Sequence, residues 1–228
     1  MAVVINTNAS ASYASMNLTK SSDLLQKSLA RLSSGSRISN PADDAGGLAV
    51  SMKLAAAIKR TDASAVNVSN ALSFLQTQAG SLKSAAAVLD RMSELGTLAG
   101  DVTKSSSDLA NYSTEFDNLY TELGKLTADA FNGIRLFSSG NAGSLTVYLS
   151  EDGAQTMSID QAGLFVAYSA ASSLGSVTGG SISTVTASIQ ALATLMATNG
   201  AQASRLQFAL DSLNVNNVNL EAANSRIY

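Results

Sequence analysis

The sequence predicts a mainly α protein, an elongated antiparallel helical bundle or coiled-coil rod, with one small β-hairpin. Apolar residues recur at alternating steps of three and four over most of the chain, as in helices that bury one stripe against another helix. Hydrophobic residues make up 46% of the 228, yet aromatics are only 5% and Trp is absent. Side chains this small suit close helix–helix packing better than a globular core filled at native density. The period changes to two in a single stretch, which reads as the hairpin.

The first helix is carried by Leu18, Leu25, Leu29 and Leu32 on one face, with Leu24 beside them. It ends at Ser33-Ser34-Gly35, where Gly35 is a natural left-handed residue past the last turn. The only proline, Pro41, forces Asn40 out of the helical region and marks an extended connection. Ala42 to Lys59 reads as a second helical piece, entered through Asp43 and Asp44. A third takes its seam from Val68, Leu72, Leu75, Ala79, Leu82, Ala86 and Leu89. Met92, Leu95 and Val102 extend its apolar face, while Gly96 and Gly100 weaken its end.

A fourth helix begins at Asp108, read as an N-cap, and steps through Leu109, Tyr112, Phe116, Leu119, Leu123, Leu126 and Ala130. The Asn132-Gly133 turn stops it. Leu145, Val147 and Leu149, then Met157 and Ile159, alternate with polar residues around Glu151-Asp152-Gly153, giving the hairpin. The last helix keeps the three–four alternation from Ile182 through Val185, Ile189, Leu192, Met196, Asn199, Ala203, Leu206, Leu210, Leu213, Asn217, Leu220 and Asn224 to Ile227. Gly200 is a candidate break. The asparagines at its seam have two open readings: buried register-fixing residues, or solvated residues where the partner helix has ended.

Chemistry is sparse. Histidine and cysteine are both absent, which removes the commonest general base, the commonest metal ligand, disulfides and thiolate sites. Serine has no histidine or evident lysine partner to activate it. Asp43-Asp44 beside Gly46-Gly47 lacks the lysine and spaced ligands of a phosphate or cation site, so helix-opening acids are the better reading. The net charge of −3 with no basic run argues against nucleic acid. No stretch reaches the roughly 18 apolar residues of a membrane helix. These features predict a protein that is not an enzyme, uses no cofactor or metal, and binds neither nucleic acid nor membrane.

The stretch from Asn17 to Ser51, NLTKSSDLLQKSLARLSSGSRISNPADDAGGLAVS, resembles the N-terminal signature of bacterial flagellins. Asn132-Gly133 before a hairpin and NLEAANSRI at Asn219–Ile227 resemble later segments of the same family. The resemblance implies a structural subunit of the flagellar filament that polymerises through its terminal helices, with Leu18, Leu25, Leu29 and Leu32 packing in the filament core. It implies an extracellular location, reached through the flagellar channel without a cleaved signal peptide. Its partners would be other copies of itself, the flagellar export apparatus and vertebrate Toll-like receptor 5, with Arg91, Leu95 and Glu115 at a subunit or receptor interface. A hook–filament junction protein is the alternative within the class, and a flagellum-displayed adhesin a more distant one.

The expected organisation is a filament-core helix at 1–40, a helical rod with hairpin at 41–162, a short linker at 163–180 in place of variable outer domains, and the rod's C-terminal helix at 181–228. The family pattern continues past the NSRI segment into a further helix. Since the sequence stops at Tyr228, the 228-residue form is expected to polymerise poorly, which sedimentation or electron microscopy would check.

Overall fold

The computed structural model describes residues 8–138, 143–161, 163–165, 167–168 and 181–227, without the side chains of 181 and 182. The protein is mainly helical: α1 (Ala9–Ser34), α2 (Ala45–Ala99), α3 (Ser106–Leu126) and α4 (Ser181–Ile227). Two antiparallel two-stranded sheets lie between α3 and α4: β1 (Ala130–Phe131) with β2 (Ile134–Arg135), and β3 (Gly143–Tyr148) with β4 (Thr156–Gln161). The chain divides into two compact units, Met1–Lys59 with Asn217–Tyr228, and Arg60–Asn216.

The pieces read as separate helices at Ala42–Lys59 and Val68–Leu89 are one helix of 55 residues. No proline interrupts it, and Gly80 faces open space, so nothing breaks its hydrogen-bond ladder. Gly200 likewise leaves α4 unbroken over 47 residues. The start of α3 differs from expectation as well. Ser105 is the N-cap, accepting from the Asp108 backbone N–H, while the Asp108 carboxylate accepts from the Ser105 N–H at 3.0 Å. Asp108 is therefore the third-position acid of a capping box rather than the cap itself. Asn132-Gly133 does not end α3, which stops at Leu126; it forms the two-residue tip of the β1–β2 hairpin. Both tip residues have positive φ, 50° and 79°, the geometry such hairpins favour.

In the larger unit α2 carries the core. Its buried seam there steps through Thr61, Ser64, Val68, Ala71, Leu75, Gln78, Leu82, Ala85, Leu89 and Met92. The sequence reading had the Val68–Leu75–Leu82–Leu89 row, but the companion row lies one residue earlier than expected. Leu72, Ala79 and Ala86 are only half-buried, because α2 has neighbours on more than one side. On α4 the buried row is Val185, Leu192, Asn199, Leu206 and Leu213. Met196, expected in the seam, is exposed, and the side chain of Ile182 lies outside the described residues.

The β3–β4 hairpin alternates as expected, pairing Leu145 with Ile159 and Val147 with Met157 on its core face. Most of the 163–180 stretch lies outside the described residues. The part that is described is not a bare linker: Leu164 and Ala167 are buried in helical backbone, and Tyr168 stacks on Tyr120 at 4.6 Å over Gly124.

Candidate functional site

Two surfaces merit attention, one in each unit. In the smaller unit the first is α1 itself. Asn8 caps its start, its Oδ1 accepting from Ala11 N–H at 3.3 Å, and Gly35 closes its end at φ 68°. Between these caps no residue of α1 is buried. Leu18, Leu25, Leu29 and Leu32 are all exposed, from 56% at Leu29 to 81% at Leu32, and Met16 and Tyr13 add to the apolar area. The leucine stripe of this 26-residue helix is thus open to water along its length.

The connection after α1 explains the densest motif in the sequence. Gly35 turns the chain, Ser36 and Ile38 are buried, and Asn40 Oδ1 accepts from Ala42 N–H to close the turn around Pro41. Asp43 then reaches back to α1, pairing with Lys27 and lying 3.6 Å from Arg31. The hydrogen bond from Lys27 holds the Asp43 carboxyl below the usual aspartate value, with the two cations adding to it. Asp44 caps α2, its Oδ1 accepting from Gly47 N–H at 2.7 Å. A side chain at Gly47 would stand 2.5 Å from Asp44 Oδ2 and 2.9 Å from Ile38 Cδ1, so the second glycine of the pair is needed for space. The acids beside Gly46-Gly47 are thus structural, one an ion-pair partner and one a cap. Farther along, Ser51 Oγ donates to Asn224 Oδ1 at 2.8 Å, tying α2 to α4 within this unit.

The second surface lies on the larger unit. Arg91 on α2 bridges two carboxylates: its Nε donates to Glu115 Oε1 at 2.8 Å and its Nη1 to Glu94 Oε2 at 2.6 Å. The charged hydrogen bonds, to Glu94 first and then Glu115, raise the guanidinium's already high pKa. Arg91, Glu94 and Glu115 all remain largely open to solvent. Leu95, expected on the same face, is fully buried at 0% exposure. It follows Met92 into the core, while Leu98 takes the outward position. Glu94 is the member of this cluster that the sequence reading did not single out; its i,i+3 spacing from Arg91 was the available signal.

An apolar groove of about 570 Å³ runs beside the hairpins, lined by Phe74, Phe131, Ile134, Leu145, Val147 and Ile159. It holds no titratable group. Among the described residues no cluster of acids could hold a metal ion. No helix among them is long and apolar enough to cross a membrane.

Residues 5–142 match a family described as the bacterial flagellin N-terminal helical region, more than half of the chain. The chain belongs to the bacterial flagellin family. The flagellin of Salmonella paratyphi A is 33% identical over 161 residues, which is 70% of this chain and 32% of that protein. The Xenorhabdus nematophila flagellin is 34% identical over 160 residues, 70% of this chain and 51% of that one. This chain therefore aligns to only a third to a half of the length of these curated flagellins.

Among solved structures, Bacillus cereus flagellin has a TM-score of 0.58 at 23% identity, over 65% of this chain and 88% of that one. A putative flagellar hook-associated protein from Vibrio parahaemolyticus has a TM-score of 0.64 at 14% identity, over 82% of this chain and all of that one. At those identities the likeness is one of fold. Flagellins are structural proteins, and the signature read from Asn17 to Ser51 falls inside the matched region.

Proposed function

We propose that this chain is a structural subunit of the bacterial flagellar filament, self-associating through α1 and catalysing no reaction. The observation that carries the reading is a family-typical N-terminal helix whose leucine stripe has no buried residue in its own chain. Burying a leucine side chain contributes about 1.5–3 kcal/mol, so four exposed leucines give a strong drive to associate. On this reading Leu18, Leu25, Leu29 and Leu32 pack against other copies, and the protein works outside the cell after passage through the flagellar export apparatus. In sedimentation velocity over a concentration series, the parent should form small oligomers, short of the long filaments that the 228-residue form is expected to build poorly, and a Leu25→Asp/Leu29→Asp variant should stay monomeric. A parent that remains monomeric at every concentration would sink the proposal.

The cellular test is deletion of the gene. Loss of the filament supports the subunit role; filaments that form but shed intact support a hook–filament junction protein instead.

The Arg91–Glu94–Glu115 cluster supports a second interface, with a neighbouring subunit or with Toll-like receptor 5. Arg91 and Glu115 supply its exposed polar contacts, and buried Leu95 supports the helix from beneath. An Arg91→Ala protein should lose signal in a receptor reporter assay; signalling equal to the parent would remove the receptor from the reading.

A further inference from the structure

Among the described residues of the larger unit, a buried pair of side-chain amides lies on the seam between α2 and α4. Gln78 is 1% exposed and Asn199 6%. Asn199 Nδ2 donates to Gln78 Oε1 at 2.6 Å and to Leu75 O at 3.1 Å. Gln78 Nε2 in turn donates to Leu136 O at 2.7 Å and to Asp160 O at 3.3 Å. Two side-chain amides thus join both long helices, the segment after β2, and strand β4.

The contact between Asn199 and Leu75 sets an alignment that can be followed along both helices. Stepping one heptad at a time in opposite directions brings Leu82 level with Leu192, and Leu89 with Val185. In the other sense Val68 comes level with Leu206, and Thr61 with Leu213. Every one of these residues is buried.

Apart from Thr61 and Asn199, the two rows are entirely Val and Leu. Sliding α4 by one heptad would therefore bury nearly the same apolar surface, and hydrophobic burial alone barely distinguishes the two alignments. The amide pair does distinguish them. After such a slide Asn199 lies level with Leu82 or Val68 and away from Gln78, so the Asn199 amide and Gln78 Oε1 are each left buried without the other, at about 1–3 kcal/mol each.

Two further polar contacts of α4 within the larger unit are weaker selectors. Gln202 and Asp160 exchange hydrogen bonds at an exposed site, and Ser188 Oγ divides itself between Ala167 O and its own helix at Thr184 O.

We propose that Gln78 and Asn199 form a register lock, which selects a single heptad alignment of α2 with α4 and fixes the β3–β4 hairpin to that alignment. A chain that repeats its surface in every copy of an assembly needs one alignment, not two. The lock is a property of the single chain and stands independently of whether the chain polymerises.

The absence of cysteine makes the test direct. Spin labels attached through Lys83→Cys and Ser204→Cys, both exposed and axially offset, report the alignment as a distance. The otherwise unaltered protein should give one narrow distance. Adding Gln78→Leu/Asn199→Leu should create a second population, displaced along the helix axis by about 10 Å, seven residues at 1.5 Å each. Moving the asparagine one heptad, by Asn199→Leu/Leu206→Asn with Gln78 retained, should make the displaced population the major one. An unchanged single distance in both variants overturns the lock. Loss of helical circular dichroism in both also overturns it, because the pair would then hold the fold together rather than choose its alignment.

Discussion

Single residues settle the local geometry of this chain, and two of them show opposite ways of handling a buried polar atom. Gln78 meets its neighbours through both ends of its amide. Thr61, on the same seam, is 0% exposed, and its hydroxyl oxygen has no hydrogen-bond partner. A buried, unpaired hydroxyl costs about 1–3 kcal/mol. Thr61→Val keeps the side-chain shape and removes the hydroxyl, so it should stabilise the larger unit by about 1 kcal/mol. Thermal unfolding would read this as a higher Tm; a lower one would show that the hydroxyl is satisfied in solution. The sequence could not have flagged either residue. A glutamine and a threonine on an apolar stripe look like solvated positions; burial shows otherwise for both, and for Gln78 so do the carbonyls of Leu136 and Asp160 that converge on it.

The elements were legible wherever one face alone decided them. The leucine stripe of α1, the alternation of β3 and β4, and the long α4 all follow from period, and Gly35 and Gly153 sit at positive φ as turn glycines. What period could not supply was continuity and capping. Two amphipathic segments with no breaker between them became one helix, since propagation adds a bond per residue once a helix exists. The start of α3 was displaced because Ser and Asp are both good caps, and the choice depends on the reciprocal bond between Ser105 and Asp108.

That capping box has a pH signature. The hydrogen bonds from Ser105 hold the Asp108 carboxyl below its ordinary value of 3.8, and those from Lys27 do the same for Asp43. A carboxyl depressed in the folded state contributes stability that is fully present above the unfolded value. This contribution is lost as pH falls through the lower folded value. Acid titration should therefore destabilise the protein below about pH 4, and Asp108→Asn should flatten part of that dependence. An equally steep acid loss in Asp108→Asn would assign the effect to other carboxylates.

For the molecule as a whole, family and broad function were carried by the segment from Asn17 to Ser51, and the structure gives that segment a physical meaning. Its glycines, proline and paired acids build one compact corner, in which a turn glycine, an Asx turn around Pro41, an ion pair back to α1 and a helix cap follow in direct succession. What such a motif cannot convey is which of the exposed surfaces meets a partner, because the residues of an interface look apolar or charged in ways that also suit a core or a solvated face. Leu95 illustrates the point: its spacing from Arg91 fits an interface, and its side chain is in the core.

The pairing of Leu75 with Asn199, 124 positions apart, also bears on timing. The α2 row from Val68 to Leu89 meets residues of α4, so a chain made from its N-terminus cannot close this part of the core until α4 has emerged from the ribosome. Contacts so distant in sequence slow folding, and most helical stability in a protein comes from tertiary packing of the apolar face. A fragment ending at residue 180 should exchange its amide hydrogens rapidly across the α2 seam, whereas the full chain protects them. Slow exchange there in the fragment would mean that α2 is stable before α4 exists. Until α4 has been made, then, the larger unit should remain pliable, and it becomes stiff only when that helix packs.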